Sequence, residues 1–219
     1  MSEVDKVGRY FRDHARQFDS IYEGKTRIGR WLDRRFRSSI FIRYALTFEH
    51  AGNLEGKSVL DIGCGPGRYS VEFAHRKAAR VLGVDISDEM IEIAKGEARK
   101  EGVEDGCEFR LADIFSARLQ ETFDVVIAMG VFDYVREPQT LLVPMREYCK
   151  PGGKVMASFP KWELIRAPIR RWRYKIKNCP VYYYTHERTA EVLTSAGLGD
   201  QIIKDIPGRG QDWFVCCQV

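Results

Sequence analysis

Residues 59–68 have the sequence Val59-Leu60-Asp61-Ile62-Gly63-Cys64-Gly65-Pro66-Gly67-Arg68. The apolar run predicts a buried parallel strand, and glycine at every second position after it predicts a turn where the backbone passes close to a ligand. Two common turns do not fit: a dinucleotide fingerprint needs a third glycine where this chain has Arg68, and a P-loop needs a terminal Gly-Lys-Ser/Thr. The stretch therefore predicts an α/β cofactor site of another kind.

A second apolar run, residues 81–87, carries Asp85 about 20 residues beyond the glycine turn. In α/β nucleotide sites an acid at this distance accepts hydrogen bonds from ribose hydroxyls, so Asp85 is predicted to bind a ligand. The alternative role is helix capping, because a helical pattern follows in residues 89–94. Ser87 is the better cap for that helix, which leaves Asp85 at the end of the strand.

The glycine turn resembles the first motif of the class I S-adenosylmethionine-dependent methyltransferases, an acidic residue followed by G-x-G-x-G. Residues 109–114 and 123–130 are similar to the ends of the family's third and fourth strands, and residues 150–157 look like its Pro-Gly-Gly turn leading into the fifth strand. A plain tight turn is the alternative for the glycines taken alone. The resemblance implies S-adenosyl-L-methionine as cofactor and no metal. It implies that the cofactor binds at Asp61, Gly63, Gly65, Gly67, Asp85, Ile86, Asp113, Ile114, Met129 and Gly130.

Two of these roles come from the family's strand ends. An acidic residue after the third strand meets the adenine amino group in the family, and Asp113 matches it; a solvated loop acid is the alternative. The end of the family's fourth strand touches the methionine part of the cofactor. Met129 and Gly130 are therefore expected beside the sulfonium.

The order of the remaining patterns predicts an α/β fold with a doubly wound, mainly parallel sheet. Strands are predicted near Ser58, Arg80, Glu108, Asp124 and Lys154, with helices near Tyr69, Glu89 and Pro138 between them. A helix capped by Thr185 and two strands, at 201–206 and 211–219, complete the chain. The resemblance implies a Rossmann-like sheet of seven strands with the last strand antiparallel.

The N-terminal part is predicted to be helical. Apolar residues recur at helical spacing over residues 3–23 and again from Ile28 to Ala51. We expect residues 1–52 to form a helical cap on a methyltransferase domain that covers residues 53–219.

Residues 160–184, the basic segment, differ in composition from the rest of the chain. Seven basic residues against one acid give the segment a net charge of +6, while the whole chain carries +4, so all other residues sum to −2. Trp162, Trp172 and Tyr182-Tyr183-Tyr184 are interleaved with the cations. The segment is predicted to be a substrate lid that grips an anionic or aromatic acceptor, with contact to nucleic acid or to a membrane surface as other roles. The alternative is a solvated amphipathic helix.

Catalysis of methyl transfer requires little beyond holding the nucleophile in line with the methyl group. A hydroxyl acceptor would gain from a general base, for which His14, Asp133, Tyr134 and His186 are the candidates. Three of them have a specific structural alternative: His14 as a packed helix residue, and Asp133 and His186 as residues near helix starts.

The composition is that of an ordinary globular protein, with 44% hydrophobic and 30% charged residues in 219. The six cysteines form no C-x-x-C pair and have no histidines at zinc spacing, which favours reduced thiols and a cytoplasmic location. The sequence contains no run of about 20 apolar residues, so it predicts no membrane span.

The predicted function is transfer of a methyl group from S-adenosylmethionine to a small-molecule acceptor, through an oxygen nucleophile. Residues 10–22 are loosely similar to the lead-in of methyltransferases that act on quinones and tetrapyrroles. Nucleic acid is disfavoured because the fourth strand does not end in the Asn/Asp-Pro-Pro-Tyr/Phe sequence of enzymes that methylate nucleobase amines. The alternatives are an RNA or protein methyltransferase that docks through the basic segment, and a non-catalytic module that binds the cofactor.

Overall fold

The computed structural model describes residues 7–10, 38–117, 119–163, 167–168, 171–172, 174, 179–207 and 212–219. Their centre is a seven-stranded sheet. Its strands are β1 (Ser58–Ile62), β2 (Arg80–Asp85), β3 (Cys107–Leu111), β4 (Phe123–Ala128), β5 (Cys149–Pro160), β6 (Gln201–Ile206) and β7 (Asp212–Gln218).

The strands lie in the order β3-β2-β1-β4-β5-β7-β6. The first five pair in parallel, whereas β7 is antiparallel to both of its neighbours, β5 and β6. The order reverses at β1, whose neighbours are β2 and β4. An open α/β sheet binds its ligands outside the carboxyl ends of the strands at such a reversal. The predicted doubly wound sheet with an antiparallel last strand is confirmed.

Helices connect the strands and cover both faces of the sheet. They are α1 (Ser38–Ala51), α2 (Arg68–His75), α3 (Asp88–Lys100), α4 (Gln139–Glu147) and α5 (His186–Ser195). The predicted caps are confirmed: the hydroxyl of Ser87 accepts a hydrogen bond from the Met90 N–H at 3.3 Å, and that of Thr185 accepts one from the Arg188 N–H at 3.2 Å.

The core has two halves because successive residues of a strand point to opposite faces of a sheet. On one face, Val59, Val81 and Val125 pack with Phe48 of α1 and Phe73 of α2. The opposite face packs against α4 and α5, and its members include Leu60, Leu82, Val126, Leu141, Leu142 and Leu193. Both faces are covered, so the central strands are apolar along nearly their whole length.

The structure modifies two predicted element boundaries. The Pro-Gly-Gly turn was expected ahead of β5, but the strand already begins at Cys149. The pairing passes from Phe123 with Cys149 to Val125 with Lys154, so the extra residues form a bulge inside β5. The predicted helix from Ile28 to Ala51 is confirmed from Ser38 onward. Its first part lies outside the described residues.

Short pieces of helix also occur in the predicted cap and in the predicted lid. Residues 7–10 are helical, as are 167–168, 171–172 and 174 in the basic segment. None of the helices in the described part of the chain is long and apolar enough to cross a membrane.

Candidate active site

A cavity of about 250 Å³ lies at the carboxyl ends of the strands, where the sheet order reverses. The turn after β1 forms its floor, and β2 and β4 contribute one wall each because they lie on opposite sides of β1. Seven of the predicted cofactor residues line it: Gly63, Gly65, Asp85, Ile86, Ile114, Met129 and Gly130. The apolar side chains among its lining include Val84, Met90, Phe115, Val131 and Val135.

The glycine turn has a conformation that other residues rarely adopt. Gly63, Gly65 and Gly67 have φ angles of +67°, +52° and +80°, in the left-handed region that favours glycine. A Cβ on Gly63 would lie 2.5 Å from Cγ2 of Val131, so that position also needs glycine for packing. A Cβ on Gly65 would meet nothing within 4 Å and would project into open space. Gly65 therefore leaves the backbone accessible from the cavity.

Asp85 lies at the end of β2 and faces this turn. One carboxylate oxygen accepts the Gly65 N–H at 2.9 Å, and the other accepts the Ser87 N–H at 2.9 Å. Burial raises the pKa of Asp85, while the three backbone N–H groups of Ser87, Gly65 and Ile86 oppose that rise. A carboxylate oxygen has two lone pairs, so each oxygen retains capacity for a further donor in the cavity.

Asp61 has a different environment from Asp85, although it is the last residue but one of β1 and Asp85 is the last residue of β2. It is only 1% exposed, does not line the cavity, and accepts a hydrogen bond from the Ser70 hydroxyl at 2.7 Å. Burial raises the pKa of Asp61 to about 7; the Ser70 hydrogen bond opposes the rise and the charge of Asp85 adds to it. The contact joins β1 to the first turn of α2.

Asp113 and Gly67 are the other predicted cofactor positions outside the lining. The Asp113 carboxylate accepts the Phe115 N–H at 3.0 Å and so closes a turn of its own loop. Ile114 and Phe115 of that loop do line the cavity. Gly67 precedes α2, and a Cβ there would lie 2.9 Å from the Ala94 Cβ, so its glycine allows α2 and α3 to pack closely.

Arg43 of α1 also lines the cavity, and the sequence analysis did not identify it. Its Nη1 donates to a carboxylate oxygen of Asp212 at 3.1 Å and to the hydroxyl of Ser158 at 3.3 Å. Its Nε donates to the hydroxyl of Tyr69 at 3.3 Å. The Nη1 atom lies 3.4 Å from where a Cβ on Gly130 would be, so the guanidinium packs against the end of β4.

A signal for Arg43 was present in the helical pattern. Ile40, Tyr44 and Phe48 recur at helical spacing in this segment, and Arg43 lies three residues after Ile40, on the same side of the helix. Arginine is seldom buried unless it is paired. A cation within an apolar stripe therefore indicates an ion pair or an anionic ligand.

The four candidate bases are in different places. Tyr134 lines the cavity, whereas Asp133 is buried behind it and its backbone carbonyl accepts the Tyr182 N–H at 2.8 Å. His186 is exposed at the start of α5, with its ring 5.3 Å from that of Trp213. His14 lies outside the described residues.

The predicted N-terminal cap and the basic segment are both expected to cover the cavity, and residues from each meet at its mouth. Val7 lines the cavity, and it belongs to a small apolar cluster with Tyr10 and Cys179. The ring of Tyr174 in the basic segment lies 5.6 Å from that of Tyr10 and 6.4 Å from that of Tyr134. The N-terminal turn and the basic segment are therefore in contact above the cavity.

The cavity suits S-adenosylmethionine by the chemistry of its lining. An adenosyl group needs an apolar slot and an acceptor for the ribose hydroxyls, which Ile86, Ile114 and Asp85 can supply. An amino-acid group needs a partner for its carboxylate, which the guanidinium of Arg43 can supply. The open space at Gly65 allows the middle of the cofactor to approach the backbone between these two groups. Among the described residues, no group of three or more His, Cys, Asp or Glu side chains is arranged to hold a metal ion.

Comparison with known proteins agrees with this chemistry. A family model described as a methyltransferase domain matches residues 53–197. The chain belongs to this family, the class I S-adenosylmethionine-dependent methyltransferases, and S-adenosylmethionine is its cofactor. The resemblance of the glycine turn and the cofactor prediction are confirmed.

Individual relatives have more specific names. The chain is similar to the ubiquinone biosynthesis O-methyltransferase of Aeromonas salmonicida, with 29% identity over 167 residues that cover 73% of this chain and 69% of the relative. It is similar to the protein of the same name from Salmonella newport, with 33% identity over 117 residues covering 53% of this chain. The match spans about half, 48%, of that relative's length.

A solved structure has the same fold over nearly the whole chain. It is magnesium protoporphyrin IX methyltransferase from Synechocystis PCC 6803 with bound S-adenosylhomocysteine, with a TM-score of 0.78, 18% identity and 99% coverage of both chains. At this identity the likeness establishes the fold.

Proposed function

We propose that this methyltransferase moves the methyl group to a small-molecule acceptor, through an oxygen nucleophile, by in-line displacement. One observation carries the proposal: the cavity has Asp85 on one side of the glycine turn and Arg43, against Gly130, on the other. These groups suit the two polar ends of the cofactor and leave its sulfur near the end of β4. The relatives named O-methyltransferases support an oxygen nucleophile.

The chain's residues contribute mainly by position. When bound, S-adenosylmethionine supplies an electrophilic methyl group on a sulfonium that is already a good leaving group. Asp85 and Arg43 would hold the two ends, while Met129 and Gly130 would fix the depth of the sulfur. Holding the acceptor in line can lower the barrier by about 7 to 11 kcal/mol.

Tyr134 is the candidate base that the geometry supports best, because it lines the cavity beside Val131 and Val135. Its hydroxyl would orient an acceptor hydroxyl, and as it takes that proton it would release its own to solvent water, a contribution of roughly 10²- to 10⁴-fold. Asp133, buried next to it in the chain, would act through Tyr134 rather than on the acceptor.

The domain division and the lid belong to the same proposal. Residues 1–52 would form the cap and 53–219 the methyltransferase domain, with residues 160–184 closing over the acceptor. The support is that Val7 and Arg43 line the cavity and that Tyr10 packs on Tyr174. All six cysteines are free thiols, which supports a reducing, cytoplasmic compartment.

A direct test is to incubate the protein with S-adenosylmethionine and a panel of small phenols, catechols and carboxylic acids, and to measure S-adenosylhomocysteine formed. Parallel reactions receive total RNA or a protein extract. We expect product with a small hydroxyl compound. Methylation of RNA or protein alone would overturn the proposal in favour of its alternative.

Two matched variants tie any activity to the cavity. Asp85→Asn should weaken S-adenosylhomocysteine binding by about 1.5 to 3 kcal/mol, because it removes a charged hydrogen-bond acceptor. Asp88→Asn changes an exposed acid in the first turn of α3 and should leave binding unchanged. Equal affinities for the wild type and Asp85→Asn, measured by calorimetry, would remove Asp85 from the site.

A further inference from the structure

Below the cavity, two buried polar residues from neighbouring strands meet the guanidinium of Arg43. Ser158 of β5 is 1% exposed, and its hydroxyl accepts both the Gly130 N–H at 2.8 Å and Arg43 Nη1 at 3.3 Å. Asp212, the first residue of β7, is 8% exposed and accepts from the same Nη1 at 3.1 Å. One arginine is thus bound to two strands that do not themselves line the cavity.

The antiparallel direction of β7 explains why its first residue is here. Parallel strands end at the cavity edge of the sheet, so a strand that runs the other way begins there. The register pairs Asp212 with Pro160, the last residue of β5, and Phe214 with Ser158. Asp212 and Ser158 are therefore placed at the same edge, within reach of α1.

The ion pair between Arg43 and Asp212 is largely shielded from water. The two side chains are only 13% and 12% exposed. An ion pair in such surroundings is screened less than a surface pair, and breaking one partner leaves an uncompensated charge. Asp212 therefore holds the guanidinium in one place, and Ser158 sets its position relative to the Gly130 backbone.

We propose that Asp212 and Ser158 are positioning residues for the cofactor: they aim Arg43 at the carboxylate of its amino-acid part and lock Gly130 beside it. The inference rests on the proposed function, since it assigns Arg43 to that carboxylate. It gives β7 and the end of β5 a part in cofactor binding without contact with the cofactor.

Two ligands separate positioning from general stability. S-adenosylhomocysteine has the amino-acid part, whereas methylthioadenosine has the same adenosine and sulfur without it. In Asp212→Asn we expect the affinity for S-adenosylhomocysteine to fall about tenfold, and the affinity for methylthioadenosine to stay within about twofold of the wild type. Calorimetry on the full chain measures both, and retained methylthioadenosine binding shows that the variant is folded.

The matched control is Asp124→Asn. Asp124 also belongs to a partly buried polar network, with Ser58 and Lys150, but near the start of β4, at the opposite end of the strands from the cavity. This variant should lower the melting temperature and leave both affinities unchanged. A loss of affinity for both ligands in Asp212→Asn, or no loss for either, would overturn the positioning role.

Ser158→Ala provides an independent arm. It removes the acceptor shared by Gly130 and Arg43, so we again expect a selective loss for S-adenosylhomocysteine. Thr189→Ala is its control, because Thr189 of α5 is buried, does not line the cavity, and donates its hydroxyl to the Thr185 carbonyl at 2.8 Å. If the wild type bound neither ligand, the proposed function itself would fail. If the wild type bound both ligands and neither variant showed a selective loss of affinity for S-adenosylhomocysteine, only this inference would fail.

Discussion

Asp61 and Asp85 lie near the ends of neighbouring strands that lead to the cavity, yet their surroundings make them chemically different. Asp85 accepts two backbone N–H groups and faces the cavity, whereas Asp61 is enclosed and bonded to the Ser70 hydroxyl. The backbone N–H groups favour the ionised form of Asp85, and in that form its oxygens can accept hydrogen bonds from hydroxyl groups. A carboxylate enclosed by apolar residues is held closer to its neutral form.

This difference leads to a pH prediction for Asp61→Asn. Burial raises the pKa of Asp61 to about 7 from its usual 3.8, so its contribution to stability is full below the lower value and is lost as pH rises through the higher one. Asparagine can still accept from Ser70 but does not titrate. We expect the wild type to lose stability relative to Asp61→Asn between about pH 4 and about pH 7 in urea unfolding.

Asp124→Asn is the contrasting case. Burial would raise the pKa of Asp124, but hydrogen bonds from Ser58 and the Lys150 ammonium outweigh it and hold that pKa well below its usual range. Asp124 is therefore ionised throughout the tested pH range. The difference in unfolding free energy between the wild type and Asp124→Asn should be constant over that range. A pH-independent difference between the wild type and Asp61→Asn would contradict the raised pKa.

At the scale of elements, the turn between β1 and α2 combines two demands on glycine. Gly63 and Gly67 are needed because a Cβ would collide with Val131 or with Ala94. Gly65 is different, since only its backbone angle and the open cavity next to it exclude a side chain. The turn is thus both a packing joint and a surface for a ligand.

Two alanine substitutions distinguish the strain of the turn from its use in binding. Gly65 and Gly56 both have positive φ angles, +52° and +74°, and open space at the Cβ position. Each substitution should cost about 1 to 2 kcal/mol of folding free energy because of the left-handed backbone. Only Gly65→Ala should also weaken S-adenosylhomocysteine binding, by at least about tenfold, since its methyl group enters the cavity. Equal affinities in calorimetry would show that the ligand does not approach Gly65.

At the scale of the whole molecule, the cavity draws on distant parts of the chain. Val7 comes from the N-terminal turn, Arg43 from α1, and Asp85 and Gly130 from strand ends on either side of β1. A ligand in the cavity therefore contacts several elements at once. Binding to the folded state alone should stabilise all of them together.

Thermal unfolding measures this coupling. At about 100 times its dissociation constant, S-adenosylhomocysteine should add about 2.7 kcal/mol and raise the melting temperature of a chain of this size by roughly 5 to 10 °C. NAD should give no shift, because Arg68 occupies the position where dinucleotide sites need a third glycine. A shift with NAD alone would assign the cavity to a dinucleotide.

Several features could be derived from the sequence because they depend on neighbouring residues. The strand and helix positions follow from hydrophobic periodicity, and the glycine turn with Asp85 about 20 residues later follows from spacing within one βαβ unit. These are local patterns, so no knowledge of distant contacts is required. The side of the sheet that binds the cofactor was available on this basis, and the cofactor class followed from the resemblance of the glycine turn to the methyltransferase motif.

Tertiary structure alone decided which polar groups meet at the cavity and beneath it. Ser158 and Asp212 lie 115 and 169 positions from Arg43 along the chain, and only the reversed direction of β7 brings them together. The same holds for Asp61, whose motif position predicted a ligand contact but whose enclosure pairs it with Ser70. Periodicity specifies which face of an element is apolar. Which polar groups meet across the fold depends on strand order, direction and register.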